Sequence, residues 1–257
     1  MNKKSVFFQI SLVFSLIFFI FSGVNVGAYT NPTQNCDSDF WDNIYNVDEK
    51  KLVAEIPSFN IKLYYVKNDK DFGMYEGFIL QINGGKKYFR WENVNNNPTY
   101  APQLTLADLD KDGKEELIVQ LCKGYGTGVY DGEVHVIRQE FFDEVLVENP
   151  LIPLHKNVQI EKSNEQVEII LNDKATVLKK KKMLSTPCQE LGAGYGQHVG
   201  FEVNNNILYA RVVLSVGANS GVGEFIIKYK YKCKYKYKDE ILQVERIDFV
   251  AVPEYIN

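Results

Sequence analysis

The sequence predicts a mainly β protein, with antiparallel sheets in an incomplete propeller-like or sandwich array and one minor N-terminal helix. Short runs rich in β-branched and aromatic residues are separated by Gly, Asn, Asp and Pro through most of the chain, which is the pattern of strands and turns. From Lys228 to Lys238 lysines alternate with Tyr or Cys, and a period of two is that of a strand. The absence of any fixed-period repeat disfavours a full propeller.

The first 28 residues have the pattern of a signal peptide. Lys3 and Lys4 precede an apolar run over residues 6–21, and Val26-Gly27-Ala28 ends the segment with small residues. We expect cleavage after Ala28, leaving residues 29–257 as a single β-rich domain that is secreted or associated with the cell envelope. An uncleaved anchor is the alternative, although a membrane span needs about 20 residues.

The minor helix is predicted within residues 31–50. Ser38 can cap its N-terminus, and Trp41, Ile44 and Tyr45 share one face. We expect this face to pack on the β core, with ligand binding by the aromatic residues as the alternative.

Turn residues between apolar runs predict several hairpins. Gly84-Gly85 separates residues 77–83 from residues 87–91. In the second half, three strands are predicted over residues 158–161, 166–171 and 175–179. The glycine-rich residues 123–132 lack the Gly-Lys-Ser/Thr ending of a phosphate-binding loop, and we expect a connection beside the acidic loop described below.

Charge and cysteine content exclude some classes of function. The chain has 29 basic and 33 acidic residues, a balance that gives no general case for nucleic-acid binding. Four widely spaced cysteines allow two disulfides in three connectivities, with four buried free thiols as the alternative. The absence of Cys-x-x-Cys and the presence of only three histidines make a zinc site improbable. The cysteines are Cys36, Cys122, Cys188 and Cys233.

The most informative stretch is the acidic loop over residues 108–116. Ca²⁺ takes six to eight oxygen ligands at roughly 2.3 to 2.6 Å, so carboxylates must converge from a short turning segment. Asp108, Asp110 and Asp112 occupy positions one, three and five, and Glu116 occupies position nine. The carbonyl of Lys114 supplies position seven in this interpretation. The spacing predicts a calcium site, and a solvated acidic turn is the alternative.

The residues around the loop distinguish between two kinds of calcium loop. Gly113 stands where the chain must turn back, and glycine reaches positive φ at little cost. An EF-hand requires Glu at position twelve and flanking helices, whereas Val119 occupies that position. Apolar runs at residues 104–107 and 117–121 predict strands on both sides. We therefore expect a loop between two strands.

The run from Ala107 to Val119 resembles the signature of FG-GAP or VCBS-type repeats, in which Asp-x-Asp-x-Asp-Gly-x-x-Asp lies between strands. Asp108, Asp110 and Asp112 match the ligands of that family, and Glu116 stands where the family has Asp. The resemblance continues to residue 137. This continuation resembles secreted bacterial proteins with VCBS repeats. It implies β architecture and bound calcium in a family that includes adhesion and carbohydrate-associated proteins.

Lysine-rich segments offer a possible binding surface. The lysines of residues 228–238 are expected on one face of a strand, and residues 179–182 are four consecutive lysines. Such a surface suits an anionic wall polymer, nucleic acid or an acidic protein. A solvated strand face is the alternative, since charged edges also prevent sheets from pairing.

The sequence favours a non-enzymatic binding protein whose ligand is a glycan, an anionic polymer or another protein. The alternative is a secreted hydrolase of cell-wall or extracellular polymer that uses His135 or His198 with nearby carboxylates. Glu133 and His135 are expected on one face of a strand. No Gly-x-Ser-x-Gly or His-Glu-x-x-His motif is present, but dispersed glycosidase carboxylates would leave no short motif.

Overall fold

A computed structural model of the protein describes residues 47–163, 165–179, 192–217, 220–234 and 239–256. These residues form fifteen strands and one α-helix, with short 3-10 turns, and the prediction of a mainly β fold is confirmed. They all belong to one compact unit. The helix predicted around Ser38 and Trp41 lies outside the described residues.

A four-stranded antiparallel sheet comes first, in the order β1-β2-β3-β4. The predicted hairpin between β3 and β4 is confirmed, but its turn is Asn83-Gly84, one residue earlier than predicted, because Ile82 pairs with Gly85. Asn83 and Gly84 have φ of 50° and 88°, and Asn-Gly is favoured where both central turn residues need positive φ. The strands are β1 (Leu52–Ile56), β2 (Ile61–Asp69), β3 (Met74–Ile82) and β4 (Gly85–Val94).

An eight-stranded sheet forms the largest layer. Its order is β12-β13-β14-β15-β8-β7-β6-β5, and β12 also pairs with β7, so six of its strands close into a ring. The bounds are β5 (Gln103–Ala107), β6 (Glu116–Gly126), β7 (Val129–Arg138), β8 (Asp143–Val147), β12 (Ala193–Asn204), β13 (Ile207–Val216), β14 (Ser220–Lys234) and β15 (Asp239–Ala251). The choice between a propeller-like and a sandwich arrangement stays a prediction.

The ring depends on a close approach between β7 and β12. A Cβ on Gly132 would lie 2.6 Å from the Val199 carbonyl oxygen, so only glycine fits there. The glycine-rich segment was expected to be a connection beside the acidic loop, and that expectation is wrong. It lies mostly within β6 and β7, and the tight turn at Thr127-Gly128 is at the opposite end of β6 from that loop.

A small three-stranded sheet and the α-helix complete the described fold. The sheet has the order β11-β10-β9 and confirms the three strands predicted there; the bounds are β9 (Val158–Lys162), β10 (Gln166–Leu171) and β11 (Lys174–Lys179). Helix α1 (Leu151–Asn157) begins where Asn149 Oδ1 accepts a hydrogen bond from the Leu151 N–H at 2.9 Å. In the described part of the chain no helix is long and apolar enough to cross a membrane.

Strand β6 is buried on both faces and links two hydrophobic cores. Leu117 and Val119 pack with the four-stranded sheet, whereas Ile118 packs inside the ring with the small sheet. Side chains alternate across a strand, so burial of both faces explains why this segment is continuously apolar. Cys122, at the far end of β6, is a buried free thiol. Two disulfides would require all four cysteines, so the expectation of two disulfides is wrong. Cys36, Cys188 and the side chain of Cys233 lie outside the described residues.

A histidine flanked by two carboxylates lies near the contact between the four-stranded sheet and β7. The His135 ring stacks on Trp91 with centroids 4.4 Å apart. His135 Nδ1 lies 2.5 Å from Glu144 Oε1, and Nε2 lies 3.7 Å from Glu133 Oε2. Burial lowers the pKa of His135, but the two carboxylates outweigh burial and raise that pKa above its usual value. The two carboxylates therefore favour the protonated form of His135.

We predict that His135→Gln flattens the dependence of stability on pH in the neutral to alkaline range. Because the folded pKa is raised, the contribution of His135 is complete below its unfolded pKa of about 6.5 and is lost as pH rises through the folded pKa. Each tenfold difference in proton affinity corresponds to about 1.4 kcal/mol. Urea unfolding across this range measures the slope. His155→Gln, at an exposed position on α1, is the control, and an unchanged slope in His135→Gln would contradict the prediction.

Candidate metal centre

The acidic loop joins two strands of the large sheet, as predicted. Strand β5 ends at Ala107 and β6 begins at Glu116, and these two residues are paired across the strands. The paired strands hold the two ends of the loop together. The flanking strands are incompatible with an EF-hand, which requires helices on both sides.

Hydrogen bonds between aspartate side chains and the backbone fold the loop. Asp110 Oδ1 accepts a hydrogen bond from the Asp112 N–H at 3.0 Å, and Asp112 Oδ1 accepts one from the Lys114 N–H at 2.8 Å. Asp108 Oδ2 accepts one from the Gly113 N–H at 3.1 Å. Gly113 has φ of 89°, so the sequence-based role for a glycine at this turn is confirmed.

Leu109 anchors the loop to the protein. Its side chain is buried in the core inside the ring, and its N–H donates a hydrogen bond to Glu116 Oε2 at 2.9 Å. Leu109 lies between Asp108 and Asp110 in the sequence, so its burial fixes the backbone between these two residues. An apolar residue at this position therefore positions the two neighbouring carboxylates.

Three carboxylates converge at the base of the loop. One oxygen each from Asp108, Asp110 and Glu116 lies within 4.8 Å of the others. Oxygens on opposite sides of one Ca²⁺ are about 4.6 to 5.2 Å apart at its usual ligand distances, so the three oxygens can contact a single ion. Elsewhere in the described ranges no other group of three or more His, Cys, Asp or Glu side chains has such a geometry.

The electrostatics of this cluster favour a cation. Asp108 Oδ1 is buried and has no hydrogen-bond partner. Glu116 is only 4% exposed, and burial, followed by the charges of Asp110 and Asp112, raises its pKa to about 7. A buried carboxylate without a counter-ion is costly, and a divalent ion would offset that cost. Oxygen ligands with this charge suit a hard cation such as Ca²⁺.

One sequence-predicted ligand, Asp112, lies outside the group of three converging oxygens. Asp112 is exposed, and its Oδ1 accepts the hydrogen bond that forms the next turn of the loop. Lys114 Nζ forms an exposed ion pair with Glu140 Oε2 at 3.3 Å. The contribution of the Lys114 carbonyl stays a prediction.

No sequence pattern indicated that Tyr231 and Arg138 lie near the acidic loop. Tyr231, on β14, is part of the alternating Lys/Tyr segment. Burial raises the pKa of its phenol, and the charges of Glu116 and Asp110 raise it further, while Arg138 opposes them. The alternation predicted an inward tyrosine face, but only the sheet order places that face near the acidic loop.

The predicted lysine face is partly neutralised within its own sheet. Tyr229 is buried and Lys230 is exposed, so the alternation is confirmed in this part of β14. The strand ends at Lys234, and residues 235–238 of the predicted strand lie outside the described residues. Lys228 Nζ and Lys230 Nζ contact the Glu245 carboxylate at 2.7 and 3.1 Å, and these two lysines lower the Glu245 pKa to about 2. Of residues 179–182, only Lys179 is described.

The histidines considered for hydrolysis have structural contacts. Glu133 and His135 lie on one face, as predicted, but the raised pKa of His135 weakens it as a general base. Its side chain is only 11% exposed. The His198 ring lies 5.4 Å from the Tyr130 ring. These contacts give the hydrolase alternative no support.

Comparison with protein-family models finds no match for this chain. Comparison with curated proteins finds none either. No solved structure matches the fold.

Proposed function

We propose that this chain is a secreted, calcium-stabilised, non-enzymatic binding protein of the cell envelope or medium. The observation that carries the proposal is the convergence of Asp108, Asp110 and Glu116 around a buried Asp108 oxygen that has no hydrogen-bond partner. The sequence pattern of a leader supports export. The ligand belongs to one of three classes: a glycan, an anionic polymer or another protein.

In this proposal the ion stabilises the loop and does not act in catalysis. Extracellular calcium sites have dissociation constants of roughly 10⁻⁴ to 10⁻³ M, so about 1 mM Ca²⁺ adds roughly 0.4 to 1.4 kcal/mol to stability. That contribution is large enough to order residues 108–116 and small compared with the two hydrophobic cores. Calcium therefore controls the shape of one end of the large sheet.

We predict that Asp110→Asn removes the calcium-dependent rise in melting temperature. For the wild type, about 1 mM Ca²⁺ should raise the melting temperature by about 1 to 5 °C. Asp110 contributes an oxygen to the convergent group. Asp112→Asn is the matched comparison and should retain part of the rise, because Asp112 lies outside that group. Calorimetry with calcium and with chelator measures both, and no calcium effect on the wild type would refute the proposal.

We predict that Glu116→Gln raises the stability of the calcium-free protein and removes the stabilisation by calcium. The pKa of Glu116 is about 7, above the unfolded value of about 4.3, so the charged carboxylate destabilises the calcium-free protein as pH rises through this interval. The two pKa values differ by an amount that corresponds to about 3.7 kcal/mol, so at pH 8 without calcium the variant should be more stable by up to about that amount. It should also lose the stabilisation by calcium.

Glu115→Gln is the control for this substitution, because Glu115 is an exposed neighbour and lies outside the convergent group. Glu115→Gln should change neither the stability without calcium nor the stabilisation by calcium appreciably. Urea unfolding of Glu116→Gln and Glu115→Gln, each with calcium and with chelator, gives four stabilities. Each is compared with the wild type in the same condition. Destabilisation of the calcium-free protein by Glu116→Gln would contradict the electrostatic argument.

A further inference from the structure

We infer that the groove beside the acidic loop binds a basic, amphipathic segment of another protein. This inference rests on the proposed function, because it names the ligand class of a binding protein. The groove has a volume of about 1060 Å³, slightly above the range of about 300 to 1,000 Å³ that is usual for small-molecule sites. A groove of this size can admit several side chains of a polypeptide segment.

The groove is strongly acidic. One wall is formed by the loop and the other by the β7–β8 hairpin and β8, and seven carboxylates line the groove against two basic side chains. Asp112, Glu115 and Asp143 are exposed. The acidic residues are Asp110, Asp112, Glu115, Glu116, Glu140, Asp143 and Glu144, and the basic residues are Lys114 and Arg138.

Internal ion pairs leave the groove negative. Lys114 pairs with Glu140, and Glu144 pairs with His135 from outside the lining. A Ca²⁺ ion at Asp110 and Glu116 would neutralise two further charges, which leaves the exposed carboxylates of the walls. Such a groove repels anionic polymers and anionic membranes and attracts cations.

Two exposed apolar side chains line the same groove. Phe141, in the turn of the β7–β8 hairpin, is 68% exposed, and Leu146, on β8, is 65% exposed. Leu146 and Glu144 point to one face of β8, because side chains alternate along a strand. An apolar patch within an acidic groove suits a partner that carries both lysines or arginines and apolar side chains.

The hairpin turn holds Phe141 in its exposed position. Phe142 adopts φ of 56°, a region that bulky residues rarely enter, and it packs against the core beneath the four-stranded sheet. The Lys87 ammonium donates a hydrogen bond to the Phe142 carbonyl at 2.9 Å. An anchored Phe142 fixes the turn, so the groove wall is already formed before a partner binds.

The test uses three fluorescein-labelled peptides of equal length with alternating Lys-Leu, Glu-Leu or Lys-Ser sequence. Fluorescence anisotropy with the purified protein in millimolar calcium measures their affinities. We expect the Lys-Leu peptide to bind tightest, because only this peptide satisfies both the charge and the apolar patch. Its affinity should fall as salt is added. Equal or tighter binding of the Glu-Leu peptide would overturn the inference.

Substitutions locate the peptide on the protein. Phe141→Ser and Leu146→Ser should each weaken binding of the Lys-Leu peptide about tenfold, since each removes a large apolar contact. Phe72→Ser is the matched control, because Phe72 is 82% exposed in the turn between β2 and β3, and it should leave the affinity unchanged. Equal effects of all three substitutions would overturn the inference.

Asp110→Asn separates this inference from the proposed function. The variant should lose stabilisation by calcium and still bind the Lys-Leu peptide, because Phe141 and Leu146 remain. Calcium stabilisation of the wild type without peptide binding would overturn the groove inference alone, whereas peptide binding without calcium stabilisation would overturn the calcium proposal alone.

Two further measurements test other occupants of the groove. Sedimentation of the protein alone should show no dimer that depends on Phe141. A dimer that dissociates in Phe141→Ser would place a second copy of the chain in the groove. The wild type should bind vesicles that contain an anionic phospholipid no more tightly than the Phe141→Ser variant binds them. Either contrary result would overturn the inference.

Discussion

The central constraint on this end of the protein is the convergence of three carboxylates, whose charge we propose a cation neutralises. Asp108, Asp110 and Glu116 meet within 4.8 Å, and Glu116 is almost fully buried. Burial of Glu116 and the charges of Asp110 and Asp112 disfavour its ionised state, which is why the pKa of Glu116 rises to about 7. Among the described residues, this cluster combines convergent acidic oxygens with a buried oxygen that has no partner.

The fold creates this constraint by fixing the backbone around the cluster. Pairing of Ala107 with Glu116 closes the loop, and burial of Leu109 holds its second residue in the core. Strand β6 continues from Glu116 between two hydrophobic cores, so the position of Glu116 is determined by apolar packing. The same sheet places the β7–β8 hairpin beside the loop, and an acidic groove with two apolar side chains lies between them.

Local sequence patterns predicted the local features well. The spacing of Asp108, Asp110, Asp112 and Glu116 predicted four convergent side chains, of which three converge while Asp112 is exposed. Apolar runs predicted the strands on both sides. Features that depend on distant segments were not predictable: Tyr231 lies near the loop, Glu144 pairs with His135, and the lysines of β14 pair with Glu245 because the strand order brings them together. The turn at Asn83-Gly84 was misplaced by one residue, since register depends on the whole pairing of β3 with β4.

The most direct measurement of the central claim is the number of calcium ions that each chain binds. Equilibrium dialysis of the purified protein against increasing calcium, followed by elemental analysis, gives this number and the dissociation constant. The account predicts saturation at one ion per chain, with a dissociation constant of roughly 10⁻⁴ to 10⁻³ M. No bound calcium in the millimolar range would contradict it.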